Sequence, residues 1–104
     1  MTTESVIMDY YGSWLNGDRD RARSLLADDL KFRSPQDNFD TADAFLGTCW
    51  KLSESFDAMD VIHEVFDASG GYLVYRSGSF LCGEFVKVRD GRIAEIYVTF
   101  NPTA

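Results

Sequence analysis

Hydrophobic positions change their spacing once along this chain, from a helical repeat in the first half to strand-like alternation in the second. Val6, Ile7, Tyr10, Tyr11, Trp14 and Leu15 recur at helical spacing, with Glu4 in the first turn and Asn16-Gly17 placed to stop the helix. Asp18 caps a second, short helix that puts Ala22, Leu25 and Leu26 on one face and is expected to end near Asp28-Asp29. Leu30 and Phe32 alternate with Lys31 and Arg33, the pattern of a half-buried strand closed by Pro35, and a polar loop runs on to Asp40. Asp40 or Thr41 caps a third helix, in which Phe45, Cys49 and Leu52 repeat and Trp50 stands beside the stripe. From Ala58 onward, Val, Ile, Phe and Tyr alternate with polar residues, broken at Ser69-Gly70-Gly71, at Gly83 and at Asp90-Gly91. Residues that tolerate positive φ at those breaks predict an antiparallel meander of about four strands.

Helices first and hairpins afterwards is the α+β order. One cone-shaped, curved antiparallel sheet wrapped around three N-terminal helices covers all three apolar stripes. So few strands cannot close, which leaves an aromatic-lined interior and one open mouth. The 104 residues fit a single domain, and a 45% hydrophobic composition with eight Phe, five Tyr and two Trp supplies a core without covalent staples. A net charge of -7 repels phosphate backbones and anionic lipid, so neither nucleic acid nor membrane is an expected partner. Cys49 and Cys82 lie far apart, outside any CxxC or Cys/His cluster. With no phosphate loop, HExxH or EF-hand pattern either, the expectation is no metal and no cofactor. The N-terminal residues lack the pattern of a signal peptide and no stretch has the length to span a bilayer, so a cytoplasmic location is expected. Asp18, Asp20, Asp28, Asp29, Asp57 and Asp60 read as a solvated face with capping duties.

Two stretches carry a family resemblance. The opening Tyr10-Tyr11-Gly12-Ser13-Trp14-Leu15-Asn16-Gly17-Asp18, with Leu25-Leu26-Ala27-Asp28-Asp29 and Phe32-Arg33-Ser34-Pro35 after it, resembles the start of SnoaL-like and ketosteroid-isomerase-like proteins of the nuclear-transport-factor-2-like superfamily. The closing residues, Phe85-Val86-Lys87-Val88-Arg89-Asp90-Gly91-Arg92-Ile93-Ala94-Glu95-Ile96, resemble that family's strand, tight turn and last strand. The resemblance implies a hydrophobic pocket for a small apolar organic molecule, used by isomerases, cyclases, epoxide hydrolases and non-catalytic binders, and a homodimer formed through the outer sheet face. It implies a fold more than a function.

Three candidate catalytic residues follow. By resemblance, Tyr10 stands where ketosteroid isomerases carry an oxyanion tyrosine, and Glu84 stands close to their oxyanion acid. The corresponding base position holds Ser34, whose hydroxyl cannot accept a carbon-bound proton efficiently near pH 7, so Asp37 or Asp40 serves only if their loop folds over the mouth. His63, the single histidine, shares a face with Val61 and Val65 if strand alternation holds, and its ordinary pKa suits proton transfer. Arg76 resembles the arginine of limonene-epoxide-hydrolase-like members, but Gly78 and Asn101 stand where that chemistry wants carboxylates. Trp14, Phe32, Trp50, Tyr75 and Tyr97 are candidate ligand-binding walls, although aromatics at these periods equally build an ordinary core. Two readings emerge: a pocket protein that binds a small apolar organic molecule, with acid-base isomerisation or cyclisation as the chemistry open to it if it is an enzyme, and a non-catalytic homodimeric or partner-binding module with a filled core. The run Leu81-Cys82-Gly83-Glu84 is expected to make a tight connection that shortens the sheet.

Overall fold

Three helix starts are built from side-chain caps. The computed structural model describes residues 2–56 and 58–102, with side chains as far as Phe100, so Asp57 and the Asn101 side chain lie outside the described residues. Helix α1 (Thr3–Leu15) begins where the Thr2 hydroxyl accepts the Ser5 N–H at 3.1 Å, and it buries Val6, Ile7, Tyr10, Tyr11 and Trp14 while Leu15 stays exposed. Asp18 caps α2 (Arg19–Ser24) and Thr41 caps α3 (Ala42–Cys49) by accepting the Arg21 and Ala44 N–H groups. Helix α2 ends at Ser24, before Asp28-Asp29, because the Leu25 carbonyl accepts the Ile93 N–H at 2.8 Å and Leu26 already pairs with Ile93. Tertiary pairing overrides local helix propensity there. Past α3 the chain tightens into a 3₁₀ turn, Trp50–Glu54, which turns Leu52 out to the surface.

Six strands make one curved, unclosed sheet: β1 (Leu26–Arg33), β2 (Asn38–Phe39), β3 (Asp60–Phe66), β4 (Gly70–Ser77), β5 (Phe80–Arg89) and β6 (Arg92–Pro102), ordered β2-β1-β6-β5-β4-β3. The fold is α+β, and β3 to β6 form the expected meander. The sheet is mixed rather than antiparallel throughout, since β1 runs parallel to β6. Register shifts leave extra residues in β1, in β3 at Ile62 and in β6 at Ala94, and such bulges bend the sheet around the helices.

Gly83 is not a turn. The two-residue connection is Gly78-Ser79, with Gly78 at φ 59°, and residues 81–84 lie inside the ten-residue strand β5, so the sheet is not shortened there. Gly83 instead leaves room for the exposed Tyr72 ring: a Cβ there would lie 2.6 Å from the Tyr72 hydroxyl and push that side chain aside. Ile7, Leu26, Leu30, Leu46, Leu73 and Ile93 are fully buried between helices and sheet. Helix α1 lies across β4, β5 and β6, bringing its tyrosines over the inner faces of those strands. No helix among the described residues is long and apolar enough to cross a membrane.

Candidate active site

The core is not filled at its centre. A cavity of about 180 Å³ opens between α1, α3 and the sheet, walled by Tyr10, Tyr11 and Trp14 from α1, with Phe32 and Phe45 opposite. Its walls are mostly aromatic, and among the described residues Glu84 is the single charged side chain lining it.

Alternation along β5 explains why a carboxylate stands there. Cys82, Glu84 and Val86 share the inward-facing side, so the strand period carries Glu84 under the helices, 7% exposed. Two tyrosines meet it. The Tyr11 hydroxyl donates to Oε1 at 2.9 Å, and the Tyr75 hydroxyl, diagonally across on β4, donates to Oε2 in a short contact. Burial pushes the Glu84 pKa up, and the Tyr75 and Tyr11 hydrogen bonds offset only part of that push. Both tyrosines are raised in turn, first by burial and then by the Glu84 charge.

Tyr10 behaves differently. Its hydroxyl has no hydrogen-bond acceptor among the described residues, and burial followed by the nearby Glu84 charge raises its pKa. Trp14 draws that pKa down, yet the indole N–H falls outside hydrogen-bond geometry and remains a buried donor without a partner. The cavity therefore contains one clamped carboxyl group and two donors that are not committed to protein acceptors.

Of the residues singled out from sequence, Tyr10, Glu84, Trp14, Phe32 and Tyr75 come together around this cavity. The α1 tyrosine that hydrogen-bonds Glu84 is Tyr11, not Tyr10. His63 stands apart: the bulge between Val61 and His63 reverses the alternation, so Val61 packs on the core while His63 and Val65 are exposed on the outer face. Tyr97 is also on that outer face, stacked on Phe85 at 6.1 Å, because its neighbours Ile96 and Val98 take the inward positions. Trp50 packs on Trp14 at 4.6 Å but does not line the cavity.

The loop carboxylates do not enter either. Asp40 pairs with Arg33 at 2.9 Å. Asp37 lends its carbonyl to Ser34, whose hydroxyl is spent on the same turn. Its carboxylate reaches only the rim, where it adds to burial in pushing the Cys49 thiol up. Arg76 is exposed on β4, outside the cavity. No cluster of three His, Cys, Asp or Glu able to hold a metal ion occurs among the described residues. Tyr11 went unnoticed as a site residue because its place in the α1 stripe reads as core; the signal was its hydroxyl, which a buried position obliges to find a partner.

No protein-family model and no curated protein sequence matches the chain. Solved structures do match. A Kribbella flavida protein superposes with a TM-score of 0.84 at 23% identity, covering 96% of this chain and 86% of that one. An NTF2-like protein of unknown function from Cytophaga hutchinsonii gives 0.81 at 14% identity, with 98% and 92% covered. IdmH, a proposed polyketide cyclase from Streptomyces antibioticus, gives 0.79 at 20% identity, with 97% and 93% covered. The chain thus has the nuclear-transport-factor-2-like fold, shared with ketosteroid-isomerase-like and polyketide-cyclase-like structures.

Proposed function

We propose that the cavity binds a neutral, ring-sized carbonyl compound and that Glu84 exchanges a proton with its α-carbon while Tyr10 hydrogen-bonds the developing oxyanion. The observation that carries this reading is a buried glutamate, raised above the ordinary carboxylate range, beside an uncommitted tyrosine hydroxyl in an aromatic cavity. A carboxylate with an elevated pKa is a stronger base than a solvated one and is better matched to proton abstraction near neutral pH. Tyr10 fits the electrophilic role because its hydroxyl donates to no acceptor among the described residues and is open to a ligand oxygen. The proton balance closes within the site: Glu84 takes the α-proton, the enolate oxygen is held by Tyr10, and Glu84 returns the proton to carbon.

Size limits the substrate. An apolar cavity of ~150 Å³ accepts benzene, so this one suits a single ring or a small bicycle rather than a four-ring skeleton. Polyketide cyclisation, the activity proposed for IdmH, has the same acid-base core, but this cavity is scaled for a smaller molecule.

Exchange of the benzylic hydrogens of phenylacetone in D2O, followed by proton NMR, tests the reading. Wild-type protein is expected to accelerate exchange, with a rate that climbs with pH through a midpoint above the ordinary glutamate value of 4.5. Glu84→Gln and Tyr10→Phe are each expected to lower the rate by roughly 100-fold or more. Exchange that is indifferent to Glu84→Gln would sink the proposal.

A second feature favours self-association. Val65, Tyr72, Phe85 and Tyr97 are register partners in a straight row across β3 to β6, each at least 37% exposed. Four adjacent large apolar side chains on an open sheet face suit burial against the same row of a second copy. Sedimentation of the wild type as a dimer, and of Tyr72→Arg as a monomer, is the expected result; a monomeric wild type at micromolar concentration removes the dimer.

A further inference from the structure

A second, larger cavity adjoins the first. It measures about 430 Å³, opens toward solvent near the Gly78-Ser79 turn, and is lined by Phe80, Phe100, Ser77 and Gln36. Leu52, Phe56 and Tyr75 belong to both cavities, so the partition between them is one layer of side chains. Phe56 is one of the three shared side chains, set edge-on to Trp14 at 6.4 Å and to Tyr75 at 6.2 Å. It follows a 3₁₀ turn with no side-chain cap, and Leu52 on that turn is 57% exposed. Contacts of this kind hold a ring without fixing it to a hydrogen-bonded partner.

From this juxtaposition we infer that the two cavities form one channel for a two-part substrate, a single ring with its carbonyl in the inner cavity and an unbranched apolar arm in the outer one. The inference rests on the inner-cavity reading above and names its substrate class more closely. Polarity sets the orientation: Glu84 and the Tyr10 hydroxyl lie in the inner cavity, whereas the outer one offers the rings of Phe80 and Phe100, packed edge to face at 5.7 Å. Charge sets a further limit. Apart from Glu84 no charged side chain lines either cavity among the described residues, and the chain carries a net charge of -7, so the arm is neutral and carries no carboxylate or phosphate. The hydroxyls of Ser55 and Ser77 and the amide of Gln36 at the rim accommodate an oxygen along the arm.

Calorimetric binding of three benzyl ketones, 1-phenylpropan-2-one, 1-phenylpentan-2-one and 1-phenylheptan-2-one, tests the channel. Affinity is expected to rise roughly two- to fourfold per added methylene as the arm enters the outer cavity. Phe80→Ala is expected to flatten that rise while leaving the shortest ketone unaffected, since Phe80 is 44% exposed and remote from Glu84. Ser77→Phe, which adds a ring beside its cross-strand partner Phe80 and fills the outer cavity, is expected to reject the longest ketone and spare the shortest. If the shortest ketone binds but affinity does not grow with the arm, or grows equally in both variants, the channel is overturned and the inner-cavity reading stands. If the shortest ketone does not bind at all, both fall together.

Discussion

At Glu84, burial and hydrogen bonding pull in opposite directions, and burial is the larger. A carboxyl whose folded pKa lies above its unfolded value holds more protons folded than unfolded, so its contribution to stability is lost as pH rises from the unfolded value through the folded one. Glu84→Gln keeps the shape and escapes that loss, so its melting temperature is expected to rise relative to the wild type as pH climbs above the ordinary glutamate value of 4.5; a mutant that instead falls relative to the wild type contradicts the raised pKa. Tyr11 and Tyr10 separate by what their hydroxyls bond to. Tyr11→Phe removes a donor from a buried carboxyl oxygen and is expected to cost about 1–3 kcal/mol in urea unfolding. Tyr10→Phe removes a hydroxyl that donates to no acceptor among the described residues and is expected to change stability by less than about 0.5 kcal/mol while lowering the proton-exchange rate by roughly 100-fold or more. Glu84 could be singled out only through the family resemblance, because the run Leu81-Cys82-Gly83-Glu84 reads locally as a connection, and its inward position on β5 depends on strand pairing that the run itself does not show. Tyr11 and Tyr75 were harder to assign a role, since a tyrosine that belongs to an apolar stripe gives no sign of where its hydroxyl goes.

Among the elements, those defined by local signals could be read and those defined by distant pairing could not. Thr41 and Asp18 announce their helices, and Asp90-Gly91, with φ of 54° and 77°, announces its hairpin. The early end of α2 and the parallel pairing of β1 with β6 depend on residues more than sixty positions away, which no local window contains. The bulge in β3 is a similar case: one extra residue reverses the face of everything after it, and His63 leaves the interior. Cap chemistry gives a direct check at this scale. Thr41→Ala is expected to lower stability by about 1 kcal/mol, read from denaturant midpoints, without disturbing the Tyr11-Glu84-Tyr75 cluster, which belongs to other elements.

For the whole molecule, the curved sheet does two jobs with its two faces. The inner face, with α1 laid across it, holds an aromatic cavity around one acid; the outer face presents the row from Val65 to Tyr97. The fold was readable from element order and turn residues, but folds of this kind host many activities, so function has to be argued from Glu84 and its surroundings. That makes the protonation of Glu84 the central claim. Carbon-13 NMR titration of its side-chain carboxyl, with Glu84→Gln assigning the signal, measures it directly. The account predicts a midpoint clearly above the ordinary glutamate value of 4.5, with Asp67, held by the backbone of Ser69 and Gly70, titrating below the ordinary aspartate value in the same sample. A Glu84 midpoint at or below 4.5 would make it a permanently charged acceptor for two tyrosines, and would contradict its role as the base.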